Sequence, residues 1–340
     1  MSVDLGPWLA SVPAGVAERL GSARSAIVVS HENPDADTLG AALGIAAIVE
    51  GHGGRAQVVC TDPVPPLYGF LAGVERFRTD PEPTDDADLL VLCDCGSLDR
   101  IGGVGERQAA WFARLPRLIV DHHASNGDAG PGDWVDPEAA ATCELVALLA
   151  VQLGLSLATG GGALAGALMA GIVMDTATFA HPNATPRTLA VAAALVDAGA
   201  PLSEISRRLY RTKPDPQLRL FGRVLSRLET SPSGRVVHSS LTLEDIAASG
   251  AIAAHSEGII DLLAQSETAE VAILLKEAEP DVTRVSIRTR SGGVDATVLA
   301  GRFGGGGHPR AAGATVAAPL AIARARVLEA AEALAAAVRR

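Results

Sequence analysis

The sequence predicts an α/β protein, with an N-terminal domain on a parallel sheet and a smaller α+β C-terminal domain with a mixed sheet. Three observations carry that prediction. At 340 residues the chain exceeds the usual size of a single hydrophobic core, so two domains are expected. Short β-branched apolar runs at 26–29, 89–93 and 118–120 alternate with longer helix-periodic segments, the pattern of βαβ units. After Gly199 the texture changes to polar, Arg-bearing helical segments and then to further strands.

In order, an amphipathic helix is expected over 6–22, with Trp8, Leu9, Val12, Val16 and Leu20 as its apolar face. Strand 26–30 follows. Pro34 predicts an extended Asn33, and Asp37 then stands as N-cap of a helix that begins at Thr38 and buries Leu39, Leu43 and Ile48. Strand 56–60, strand 89–95, a helix over 105–113 and strand 118–120 come next, then helices over 139–154, 163–175 and 188–197. The first domain is taken as 1–200. Helices 202–210 and 217–228 carry Arg207, Arg208, Arg211, Arg219, Arg223 and Arg227 and read as a solvated linker over 201–230. The turn Ser231-Pro232-Ser233-Gly234 opens the last domain, 231–340, with strands near 236–241, 269–276 and 284–290.

Composition narrows the function classes. A net charge of −11 argues against binding long duplex nucleic acid by counterion release. Aromatics make up 3% of the chain, too few for stacking along a single strand. Cys60, Cys93, Cys95 and Cys143 are unevenly spaced and read as buried thiols rather than a disulfide framework. The N-terminus has an early Asp4, Pro7 and Pro13 and no basic stretch, so no signal peptide is expected. Segment 161–174 is too short and too rich in Gly and Ala to span a bilayer. The expectation is a soluble, cytoplasmic protein with no membrane partner.

Four places share one signature, an apolar strand or helix that delivers Asp or His at its end: His31/Asp35/Asp37, Asp94, Asp121/His122/His123 and Asp175. Each alone reads better as a cap or a satisfied core residue than as a ligand. Together they matter, because parallel strands bring their carboxyl ends to one edge of a sheet. Bare carboxylates gathered there would repel one another, whereas two divalent cations match the four charges of Asp35, Asp37, Asp94 and Asp175. Oxygen-rich ligation with few imidazoles and no thiolate favours Mn²⁺, with Mg²⁺ or Co²⁺ as substitutes, over structural zinc. Asp94, from a middle strand, is the natural bridging ligand, and Asp121 is a candidate to orient an imidazole. Two such cations suit phosphoryl chemistry.

The Asp121-His122-His123 run resembles the signature of the DHH phosphoesterases, and His31-x-x-x-Asp35-x-Asp37, Asp94 and Asp175 resemble that family's other metal motifs in the same order. Gly304-Gly305-Gly306-Gly307-His308, followed by Ala311-Ala312-Gly313, is similar to the substrate loop of the DHH-associated C-terminal domain. Within the family the pattern looks like the bifunctional nano-RNase/3′-phosphoadenosine-5′-phosphate phosphatases, which include cyclic-di-AMP phosphodiesterases. The resemblance implies His31, Asp35 and Asp94 on one Mn²⁺ and Asp37, Asp94, His122 and Asp175 on the other. It also implies a His123 facing the scissile phosphate, an active site in the interdomain cleft and a homodimer. Ala41 stands where the family often has Ser, and Cys93 and Cys95 flank Asp94 in place of small residues.

Gly305, Gly306 and Gly307 would let a backbone approach a nucleotide, with His308 and Arg288 as phosphate partners. Arg100 and Asn126, near the motif ends, are candidate phosphate contacts. The leading expectation is therefore a phosphoesterase acting on pApA-like dinucleotides, cyclic-di-AMP and pAp. An inorganic pyrophosphatase and a non-catalytic nucleotide sensor are the rivals.

Overall fold

The computed structural model describes residues 3–290 and 292–337. The chain divides into two compact units between Thr212 and Lys213. The first holds strands β1 (Ser25–Val29), β2 (Arg55–Val59), β3 (Leu89–Cys93), β4 (Arg117–Asp121) and β5 (Trp134–Val135). All pairings are parallel, in the order β2-β1-β3-β4-β5. β1 and β3 are buried at every position, which is why they read as unbroken apolar runs. β2 and β3 flank β1 on opposite sides, so the strand order reverses there. Such a reversal opens the crevice where α/β sheets hold ligands.

Alternate residues of each strand serve opposite faces. Val28, Val58, Val91 and Val120 pack with the helices Ala36–Gly51, Thr142–Gln152 and Ala163–Asp175. Ile27, Val29, Leu90, Leu92 and Ile119 cluster instead with Ile101, Val104 and Phe112 of short helical turns. Leu39, Ile45 and Ile48 are fully buried, each contributing roughly 1.5–3 kcal/mol of transfer free energy. The close approach of Ala163–Asp175 needs Gly171, since a Cβ there would lie 2.4 Å from Asp37 Oδ1 and 2.5 Å from Cys143 Sγ.

Several expected boundaries move. The leading helix breaks into Gly6–Leu9 and Ala14–Ser22, because Pro13 cannot donate within a helix and sits at the second N-cap. The 105–113 helix is two turns, Gly103–Arg107 and Ala109–Phe112, interrupted at Gln108. β5 had no sequence signal, since two residues are too few for an alternating pattern. Leu202–Ser206 and the π-helical turn Arg207–Arg211 belong to the first unit, and helix Asp215–Leu225 to the second.

The second unit carries β6 (Glu229–Thr230), β7 (Val236–Leu241), β8 (Val271–Glu279), β9 (Val282–Thr289), β10 (Gly306–His308) and β11 (Ala311–Val316). Their order is β10-β11-β9-β8-β7-β6, with β7 and β8 parallel and the other pairs antiparallel, the mixed sheet predicted. Ile273, Ile287 and Val316 pack with Val327 and Ala331 of helix Leu320–Ala337. Val237, Ala272 and Leu274 pack with Leu220, Phe221 and Val224 of Asp215–Leu225. Among the described residues no single helix is long and apolar enough to cross a membrane.

Candidate metal centre

The loop after β1 turns on two features that the sequence reading placed otherwise. Asn33 is not extended; it adopts φ 51° and donates its N–H to Asp62 Oδ2 at 2.7 Å. Asn is among the few residues that tolerate this left-handed region, and the local bond outweighs the preference imposed by Pro34. The N-cap is Asp35, not Asp37, with Oδ1 accepting from Asp37 N at 2.9 Å and Thr38 N at 3.1 Å. Asp37 therefore lies in the first helical turn, buried, and is held from outside that helix: Oδ2 accepts from Thr142 N at 2.7 Å and Oδ1 from Cys143 N at 2.9 Å. Asp94, just past β3, has φ 57° and is tied to the sheet through its N–H to Val120 O at 3.0 Å.

Three imidazoles share one arrangement. His31 Nδ1 bonds Glu32 O at 2.7 Å, His122 Nδ1 bonds Ala139 O at 3.3 Å, and His123 Nδ1 bonds Asp121 Oδ1 at 2.7 Å. Anchoring Nδ1–H in this way fixes the tautomer and presents Nε2. His31 Nε2 faces Asp94 Oδ2 at 3.5 Å and Asp35 Oδ2 at 3.9 Å. His122 Nε2 faces Asp175 Oδ2 at 3.2 Å, Asp94 Oδ1 at 3.5 Å and Asp37 Oδ2 at 3.9 Å. Asp94 thus turns one oxygen to each group, and ligand atoms cluster as His31/Asp35/Asp94, Asp37/His122/Asp175 and Asp94/His122/His123.

The electrostatics explain what this donor set wants. Burial, then the charges of Asp37, Asp35, Asp175 and Asp121, pushes Asp94 well above the usual carboxylate range. Burial, then Asp37 and Asp35, pushes Asp175 up to about 10. Burial lowers His31 more than neighbouring Asp35 raises it. Carboxylates that resist ionisation, set around imidazole Nε2 atoms whose rings are anchored at Nδ1, fit divalent cations, which replace the protons and cancel the repulsion. Burial also raises the thiols of Cys93, Cys95 and Cys143, so these behave as packed apolar groups rather than thiolate ligands.

A pH dependence follows. Asp94 and Asp175 hold protons in the cation-free fold at pH values where the unfolded chain, with carboxylates near pH 4, has lost them. Their contribution to stability is present at low pH and fades as pH rises from about 4 towards about 10. Divalent cations should therefore raise the melting temperature more at pH 8 than at pH 6, with proton release on binding. Melting curves with and without Mn²⁺ check this, and an increment that shrinks with rising pH would contradict it.

Around the centre, Asp121 receives backbone N–H bonds from His122 and His123 at 2.8 and 3.2 Å and the Asn126 amide at 2.7 Å. The Asn126 amide is fully engaged: Nδ2 also donates to Cys95 O, and Oδ1 accepts from Asp128 N and Ala129 N. It acts on the site through Asp121. The Arg100 guanidinium forms no ion pair among the described residues, and its charge depresses both His31 and His123. In the second unit, Arg288 Nε is paired with Asp261 Oδ1 at 2.9 Å. Gly305 and Gly307 owe their missing side chains to β11, because Cβ atoms there would lie 2.1 Å from Gly313 O and 2.5 Å from Ala311 O. Gly306 and His308 are exposed on β10. Sequence reasoning missed Thr142, whose Oγ1 donates to Asp94 Oδ1 at 2.9 Å, and Asn183, whose Nδ2 donates to Ala140 O and Asp175 O. A Thr ahead of an apolar helical run was the one available signal, and it reads as a cap.

The fold and this centre define a two-unit α/β protein equipped to hold divalent cations at the carboxyl edge of a parallel sheet. The chain belongs to the DHH family: residues 25–172 match the model of the DHH family, N-terminal domain, and residues 234–337 match the DHHA1 domain. It is 34% identical over 302 residues to the bifunctional oligoribonuclease and PAP phosphatase NrnA of Thermus thermophilus, spanning 88% of this chain and 87% of that protein. The protein of the same name from Bacillus subtilis is 27% identical over 295 residues, with 85% and 88% covered. An exopolyphosphatase-related protein from Bacteroides fragilis shares the fold, with a TM-score of 0.82 and 23% identity over 96% of this chain and 98% of that one.

Proposed function

We propose that the protein is a divalent-cation-dependent phosphoesterase of short nucleotides, hydrolysing linear dinucleotides such as pApA, cyclic-di-AMP and the 3′,5′-bisphosphate pAp, with Mn²⁺ as its working cation. The carrying observation is the convergence of Asp35, Asp37, Asp94 and Asp175 with the Nε2 atoms of His31 and His122. The reading is supported by relatives named for oligoribonuclease and PAP phosphatase activity. His31, Asp35 and Asp94 would hold one cation, and Asp37, Asp94, His122 and Asp175 the other. Bound there, the cations supply Lewis-acid stabilisation of phosphoryl charge and acidify the attacking water.

The chain's own residues do the rest. The hydrogen bond to Asp121 holds the His123 proton above the usual imidazole range, against burial, so Nε2–H can donate to the departing ribose oxygen. Arg100 offers its fork to a non-bridging phosphoryl oxygen. His308 and the Gly306 backbone bind a terminal nucleotide, and Arg288 binds phosphate by exchanging Asp261 for it. The chain's net charge of −11 suits short substrates over long strands.

The test is a panel of pAp, pApA, cyclic-di-AMP, a long single strand and pyrophosphate, offered to chelator-stripped protein with Mn²⁺, Mg²⁺ or Co²⁺. Mn²⁺-dependent release of phosphate from pAp and of AMP from pApA is expected, with the long strand much slower. Turnover of pyrophosphate alone, or turnover indifferent to chelation, defeats the reading. The mass in solution reports the homodimer.

A further inference from the structure

The four residues assigned to the second cation have a common support that, of the first cation's ligands, reaches only the shared Asp94. It is the segment Ala139–Ala140–Ala141–Thr142–Cys143, which enters helix Thr142–Gln152. Its backbone and one hydroxyl reach three of the four ligands directly. Ala139 O accepts from His122 Nδ1, Thr142 N and Cys143 N donate to the two oxygens of Asp37, and Thr142 Oγ1 donates to Asp94 Oδ1. The fourth is reached at its backbone, through one amide: Asn183 Nδ2 donates both to Ala140 O at 3.2 Å and to the Asp175 carbonyl oxygen at 3.3 Å, which fixes the chain from which the Asp175 carboxylate projects. The oxygen that Thr142 holds is the one facing His122, whereas the oxygen facing His31 is Oδ2. His31 and Asp35 take their bonds from within their own loop, at Glu32 O and at the N–H groups of Asp37 and Thr38.

The strap is itself braced. Glu144 Oε2 accepts from Ala140 N at 3.2 Å, and Oε1 pairs with Arg187, whose Nη1 lies 2.8 Å from Asp136 Oδ2. Glu144 is fully buried and Arg187 nearly so. A buried arginine between two carboxylates is costly to disturb, so the turn cannot drift without breaking it. Thr142 and Asp37 are fully buried and Asp94 nearly so, which leaves no water to substitute for the hydroxyl.

We infer that Ala139–Cys143, with the Thr142 hydroxyl at its centre, is a positioning strap that preorganises the Asp37/Asp94/His122/Asp175 cation site selectively, so that the two cations are held by independently supported halves. The inference rests on the two-cation reading above. Ligand orientation by outer hydrogen bonds sets affinity, so loss of the hydroxyl weakens the half it supports and spares the other.

The experiment is Mn²⁺ titration of chelator-stripped protein, with bound equivalents counted by equilibrium dialysis and calorimetry. Wild type should bind two equivalents. Thr142→Val, which removes only the hydroxyl, should keep one equivalent at parental affinity and weaken the other about 10–100-fold. Thr142→Ser should restore it, and Asn183→Ala should weaken the same equivalent. Equal weakening of both equivalents, or none, overturns the strap. Wild type binding no cation removes the two-cation reading itself, a different failure. Should Thr142→Val not fold, Asn183→Ala decides alone, since that side chain lies outside the strap.

Discussion

Asp94→Asn is expected to lower kcat by about 10²–10³-fold, the scale of losing one preorganised electrostatic partner, while the cation-free protein stays folded and melts no lower than its parent. The first half follows from position: Asp94 is the side chain that faces both His31 and His122, so its loss withdraws charge from both halves of the centre. The second half follows from its protonation. Burial and four neighbouring carboxylates keep Asp94 protonated in the absence of cations. A neutral amide has the shape of that protonated acid, and its oxygen still accepts from Thr142 Oγ1. Removing a charge the fold disfavours costs little. The rise in melting temperature on adding Mn²⁺ should shrink in the variant, because ligand-linked stabilisation follows affinity. Near-parental kcat would end the bridging role, and an unfolded cation-free variant would end the charge argument.

The site was legible because parallel strands concentrate their chemistry at one edge. β1, β3 and β4 could be read from apolar runs, and the polar residues that follow each run then had to meet. The detail that decides each residue's role was not legible. Asp35 and Asp37 stand two apart and both suit a cap. The choice is made by Thr142 and Cys143, more than a hundred positions away, which claim Asp37. Asn126 looked available because it follows the Asp121-His122-His123 run, yet its partners Cys95 and Asp121 are set by strand order. The glycine run hides the same ambiguity: Gly305 and Gly307 are small because β11 crosses their Cβ positions, a register no local pattern states. Pairings that skip across the chain leave no period of 2 or 3.6 to find.

Asp121→Asn isolates the proton donor from the cation ligands. Asp121 is fully buried at the end of β4, where desolvation opposes its charge, yet bonds from His123 and Asn126 hold it below the usual carboxylate range. It is therefore an anion across the working pH range, and through the hydrogen bond to Nδ1 it raises His123, with Arg100 opposing. An amide keeps the shape and removes the charge. His123 then loses its proton at lower pH, so the alkaline limb of the kcat profile should move to lower pH. Its rate should fall about 10²–10⁴-fold, the contribution of a placed general acid. Stability follows the same sign. The ion pair stabilises the fold where both charges exist, above the usual carboxylate value and below the raised imidazole value, so the variant's deficit should shrink as pH rises past the latter. Both cation equivalents should still bind, because Asp121 meets the ligand set only at the His122 backbone N–H, a bond the amide oxygen can still accept, and the Ala139–Cys143 strap that holds His122 Nδ1 is untouched. A rate loss with an unmoved alkaline limb would make Asp121 an anchor for the loop alone. A moved limb with both cations bound assigns the proton to His123.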